Sequence, residues 1–165
     1  NILKIQKVLI IMEENSKDVK RKISVGLILS NNNFKKNPII PEEVAKEIID
    51  SSYYLLIFIS REDVVKISCF PTNTDNIKKV LIHLTEFSPE LVKGISTVLK
   101  ELNLSEHILH TTGLCYEMEN CYYETYLIGD SLETNQISID AIKEKFMKIA
   151  KVMNVMVEDI HKFDG

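Results

Sequence analysis

The order of apolar patterning over residues 76–163 constrains the fold of this chain more than any other feature. Runs rich in β-branched and aromatic residues at 79–84, 107–116, 122–128 and 155–160 read as strands, and stretches at 89–102 and about 139–153 carry helical spacing. In chain order this is strand, helix, strand, strand, helix, strand, a split βαβ of ferredoxin-like topology. The first helix is announced by three start signals: Ser88 as N-cap, Pro89 in the first helical position, and Glu90 at the positive helix end. Leu91, Val92, Ile95, Val98, Leu99 and Leu102 then fall on one stripe, the spacing wanted for packing on a sheet, and Asn103 ends the run. In the second helix Ile142, Phe146, Ile149, Ala150 and Met153 share the inner face. The pattern predicts a single mixed or antiparallel sheet carrying both helices on one common face.

Upstream, residues 2–12 (ILKIQKVLIIM) and 22–29 (KISVGLIL) read as two strands of a hairpin, the second closed by Ser30, Asn31, Asn32 and Asn33. Pro41, Glu42 and Glu43 open a short amphipathic helix over 41–51, with Val44, Ala45, Ile48 and Ile49 at helical spacing. Residues 53–60 (YYLLIFIS) are almost continuously apolar, as expected of a central strand buried on both faces, and 64–70 (VVKISCF) alternate more clearly. The turn-forming run at 71–76 (PTNTDN) marks a boundary. The expected fold is α+β, with a ββαββ part over 1–74 and the ferredoxin-like βαββαβ module over 75–165. The first part either extends the sheet of the second or echoes it as a degenerate tandem copy.

With 165 residues, 45% hydrophobic and 27% charged, the chain has the makeup of a soluble globular protein able to bury a core. A net charge of -4 argues against a phosphate-binding surface, so no nucleic-acid partner is expected. The longest apolar runs fall far short of the roughly 20 residues that cross a bilayer, so no membrane partner is expected either. An odd number of cysteines, at 69, 115 and 121, without an export signal points to reduced thiols and a cytoplasmic protein.

Few residues suggest chemistry. His107, His110, Cys115 and Cys121 are all able to bind zinc, but strand residues 107 and 110 point to opposite faces and the spacing is no known finger. Neither a metal nor another cofactor is expected, and the two cysteines read as small apolar core residues that could face each other across the hairpin, with no disulfide expected in a cytosolic protein. Cys115 with His83 or His110 is the one nucleophile pair worth testing, yet Glu117, Glu119 and Glu124 would raise the thiol pKa. No catalytic residue is assigned, and a small enzyme working from a cleft between the two parts is the third choice of function. Gly113, after Thr111 and Thr112, interrupts a strand and marks a bulge or a close backbone approach. Tyr116, Tyr122, Tyr123 and Tyr126 lie among acidic residues, which suits cross-strand packing or a subunit interface better than base stacking.

Residues 80–102 (VLIHLTEFSPELVKGISTVLKEL) run from a strand through a polar corner into a helix that begins at a Pro. In the rhythm of Glu86, Ser88, Pro89, Leu91, Ile95 and Leu99 this half resembles an ACT domain, a small regulatory module of amino-acid-metabolism enzymes and transcription regulators. The resemblance implies a non-enzymatic regulatory or sensor protein, a homodimer, and an amino acid or similar small metabolite bound at the dimer interface. It places that ligand at Thr85, Glu86, Phe87, Ser88, Pro89 and Glu90, with Leu91 beneath. Amino-acid-binding members keep Gly after the Pro, where this chain has Glu90. The helix start favours an anion while Glu86 and Glu90 oppose one, so a ligand presenting an amine is expected, with little affinity for simple amino acids. The alternative function is an interaction or assembly scaffold without a small ligand.

Overall fold

The strands form two sheets, and each sheet contains a strand buried on both faces. The computed structural model describes residues 23–61, 63–117 and 120–163. In chain order the elements are β1 (Val25–Ser30), α1 (Asn31–Lys35), α2 (Glu42–Glu47), β2 (Tyr53–Arg61), β3 (Val64–Thr72), β4 (Ile77–Leu84) and α3 (Pro89–Glu101). A 3-10 turn (Ser105–His107), β5 (Ile108–Glu117), β6 (Asn120–Ile128), α4 (Asp130–Thr134), α5 (Ile139–Met147), β7 (Val152–Asp159) and β8 (Lys162–Phe163) follow. The first sheet has the order β3-β2-β1-β8 and the second β5-β6-β4-β7. All pairings in the second sheet are antiparallel.

Side chains of successive strand residues point to opposite faces, and β4 uses both. Val80, Ile82 and Leu84 join Leu91, Ile95, Val98 and Leu99 of α3 and Ile142 and Phe146 of α5 in one buried cluster, so both helices cover the same face of the second sheet. On the other face, Ile77 and Tyr126 meet Ile28, Leu55 and Ile57 of the first sheet. The two sheets therefore pack face to face. The outer face of the first sheet buries Leu29, Tyr54 and Leu56 beneath Phe34 of α1, whose ring stacks on Tyr54 at 3.9 Å. The apolar run 53–60 is explained by this layering, because Leu55 and Ile57 face one core while Tyr54 and Leu56 face another. Ser88 and Ser138 cap α3 and α5, accepting from the backbone N–H of Leu91 and of Ala141, each at 3.1 Å. Such caps each contribute about 1 kcal/mol.

The architecture departs from the sequence expectation in definite places. The N-terminal strands do not extend the sheet that carries both helices but belong to a separate sheet. Ser30 to Asn33 do not close a strand into a loop: Ser30 caps α1, accepting from the Asn33 N–H, and the stacking of Phe34 rewards the extra turn. The expected helix 41–51 stops at Glu47 because Ile48 is already extended. The second helix stops at Met147, since Lys151 has a φ of 75° and Val152 and Met153 belong to β7. The tandem echo fails on topology. β1 pairs directly with β2, whereas β4 lies between β6 and β7. β8 pairs parallel to β1, so the last described residues complete the N-terminal sheet. The strand at 2–12 and its hairpin lie outside the described residues. Among the described residues no helix is long and apolar enough to cross a membrane.

Candidate functional site

The corner between β4 and α3 is tied down by polar contacts that leave one flank open. The Thr85 N–H donates to the Lys151 carbonyl at 3.0 Å, and Glu86 forms an ion pair with the Lys151 ammonium. Phe87 lies on Gly113 of β5, where an added Cβ would stand 2.7 Å from the ring. Gly113 is thus a close approach and not a bulge, and it pairs with Tyr123 in unbroken register. Leu91 is buried beneath the corner. Phe87, Ser88 and Pro89 form one end of an open concavity of about 720 Å³, continued along α3 by Val92, Lys93, Ser96, Thr97 and Lys100.

Three of the seven corner residues therefore line this concavity, while Thr85, Glu86, Glu90 and Leu91 do not. The charge balance also differs from the expected one. Glu86 is occupied by Lys151, the Leu91 N–H by Ser88, and the lining contains two lysines and no carboxylate. The flank is signalled in the sequence only by positions 89, 92, 93, 96, 97 and 100, which recur at helical spacing.

The hairpin β5–β6 corrects the reading of the cysteines. Cys115 and Cys121 are direct register partners with a Cα–Cα distance of 4.0 Å and are joined as a disulfide, so they are not reduced core residues. The cytoplasmic placement, argued from reduced thiols, loses that support. Cys69 is free, and burial pushes its thiol up to about 11. Thiol titration of the unreduced, denatured chain should find one reactive group, and titration after reduction three, the total cysteine content. In the native state at pH 8 the Cys69 thiol should alkylate slowly, because little of it is thiolate. Three fast thiols without reductant would refute the pairing.

The remaining candidates scatter. His110 bonds Thr112 through Nε2 at 2.8 Å and its ring lies 5.3 Å from Phe70; burial lowers its pKa, with the charge of Glu124 opposing. His83 stacks on Tyr122 at 4.7 Å and contacts the Asn120 side chain at 3.1 Å. Cys115, His83 and His110 consequently form no nucleophile and base pair. Among the described residues no three His, Cys, Asp or Glu side chains gather to hold a metal ion. The tyrosines divide by face: Tyr126 is buried between the sheets, Tyr123 packs on the helix side, and Tyr116 meets Tyr122 edge-on at 6.1 Å.

A buried polar cluster between the sheets escaped the sequence reading. The Glu124 carboxylate accepts the backbone N–H groups of Ile23 at 3.0 Å and Ser24 at 3.3 Å, together with the Ser24 hydroxyl. Lys79 donates to the Ser24 carbonyl at 3.1 Å and pairs with Glu124 at 3.4 Å and Glu158 at 3.7 Å. The Ser24 and Tyr126 hydroxyls are 2.8 Å apart, and burial pushes the Tyr126 phenol far above its ordinary range. Ser24, Lys79, Glu124 and Tyr126 are each 3% exposed or less, so no substrate reaches them. The cluster fastens the start of β1 to the second sheet. It does not form a reaction centre. Compared with known proteins, the chain matches no family model and no curated protein.

Proposed function

We propose that the chain is a non-enzymatic regulatory or interaction module, with a ferredoxin-like C-terminal half similar to an ACT domain, that acts by binding an anionic partner along the flank of α3. The strand order β5-β6-β4-β7, with both helices on one face, supports the fold reading. The observation that carries the functional reading is the concavity beside Phe87, which offers apolar wall and lysine ammonium groups without a carboxylate. Small metabolites are held in sites that enclose most of their surface. An open flank suits a polymer better. A homodimer belongs to the same reading, with the outer strand β3 as its surface, where Val64, Val65 and Ile67 are exposed.

Thermal unfolding with poly-L-glutamate, poly-L-lysine and free amino acids tests this reading, since binding to the folded state alone raises the midpoint. Poly-L-glutamate should raise it for the wild type and not for Lys93→Glu/Lys100→Glu. A shift with free amino acids alone would favour the sensor form of the ACT resemblance, and no shift with any probe would sink the binding function.

A further inference from the structure

We infer that the free edge of β5, together with the adjoining flank of α3, takes an extended acidic segment of a partner polypeptide, which joins the second sheet as an added strand. The inference rests on the anion-binding reading above and specifies the form of the partner. β5 is the outer strand in the order β5-β6-β4-β7, so one row of its N–H and C=O groups has no strand neighbour among the described residues. Thr111 and Cys115 pair with Thr125 and Cys121, and Cys121 belongs to the helix-side core, so Thr111, Gly113 and Cys115 share the helix-side face of β5. All three are nonetheless exposed.

They are exposed because α3 is turned toward α5. Gly94 lies against Ile149, and Glu101 pairs with Lys145 at 2.9 Å, which marks the α5-facing side of the helix. Val92 and Ser96 fall on the opposite flank. Phe87 links this flank to the strand, since it walls the concavity and rests on Gly113. A segment paired to β5 would point alternate side chains toward the helix layer, beside Val92 and Ser96 and beneath Lys93 and Lys100.

Charge selects the occupant. The lining of the concavity carries two lysines and no carboxylate, and β5 has its one acidic residue, Glu117, at its last position, in a chain whose net charge is -4. A second copy would bring net repulsion to the site, whereas an acidic segment is complementary.

Fluorescence anisotropy with labelled peptides of about ten residues, a typical strand length or slightly more, tests the proposal. The wild type should bind a peptide of alternating Glu and Val about ten-fold more tightly than its Lys and Val counterpart, and Lys93→Glu/Lys100→Glu should reverse that preference. Two Glu and Val peptides N-methylated at odd or at even positions separate strand addition from plain attraction. An added strand bonds β5 through one row only, so one methylated peptide should bind like its parent and the other about ten-fold more weakly.

No binding of the Glu and Val peptide, or binding unchanged by reversal of both lysines, overturns the proposal. Equal behaviour of the two methylated peptides overturns strand addition while leaving anion binding on the flank intact. Light scattering supplies the remaining check: a homodimer that the Glu and Val peptide dissociates would put a second copy on this edge, which also overturns the proposal.

Discussion

Lys79→Met is expected to destabilise the fold by about 3–5 kcal/mol, because it strips a buried carboxylate of its cation and leaves it uncompensated. Glu124 is 1% exposed, so water cannot take the place of the ammonium group. The Ser24 carbonyl also loses its 3.1 Å donor. The loss comes from breaking the set rather than from its total strength, since buried ion pairs are often no better than well-packed apolar residues. Lys79→Met/Glu124→Gln should therefore recover much of the loss: the amide oxygen can still accept from Ile23 and Ser24, and no buried charge remains. Urea unfolding of the three proteins decides this. A loss below about 1 kcal/mol for the single variant would show that solvent reaches the cluster.

The second large effect belongs to Gly26, where replacing glycine by alanine should reverse its ordinary sign. In a strand the change usually stabilises by roughly 0.5–1 kcal/mol, because glycine loses the most backbone freedom on folding. Here the added Cβ would stand 2.6 Å from the Tyr126 ring and 3.3 Å from Ile160. Tyr126 is fully buried and its hydroxyl is held by Ser24, so it has nowhere to retreat. Overpacking of this kind costs about 1–3 kcal/mol, and Gly26→Val should lie at or beyond the upper end. Gly113→Ala makes a useful contrast. Its neighbour Phe87 is only partly buried and can swing toward the concavity, so the loss should be smaller. Thermal midpoints of Gly26→Ala and Gly113→Ala compare the two directly. An unchanged or raised midpoint for Gly26→Ala would mean that the sheets separate more easily than their packing suggests.

What could be read in the sequence was whatever a single period carries. Ser88, Pro89 and the stripe from Leu91 to Leu99 mark α3 without ambiguity, and the continuous apolar run at 53–60 implies two buried faces. Periodicity cannot say which element covers each face, so the division into two sheets was not legible. Short elements were lost for a related reason. α1 depends on one cap and one stacked ring, and β8 depends on β1 being in place. The polar cluster did leave a trace, since Lys79 sits between Ile77 and Leu81 on a core-facing phase of β4. Its partner Glu124 belongs to a different strand, and only register brings Leu81 opposite Glu124. At the corner, Phe87, Ser88 and Pro89 were legible as a group because they interrupt the pattern. Lys93 and Lys100 look like any solvated helix face until Phe87 on Gly113 gives them a wall.

The fastening of Ile23 to Glu124 spans 101 positions, and among the described strands β1 finds its parallel neighbour in β8. Both join distant parts of the chain, beside the apolar packing of Ile77 and Tyr126 on the first sheet. Closing such long loops must be paid in entropy before packing returns anything, which slows folding of sheet proteins relative to helical ones. The helix-side core, made from residues 80–155, closes a long loop of its own, because β4 pairs with β7 and sets Val80 opposite Val157. Neither core can therefore be completed from neighbours in sequence alone. Until the long-range contacts close, the face bearing Lys79 and Tyr126 remains wet and the strands of the N-terminal sheet remain open to wrong partners, which is where aggregation competes with refolding.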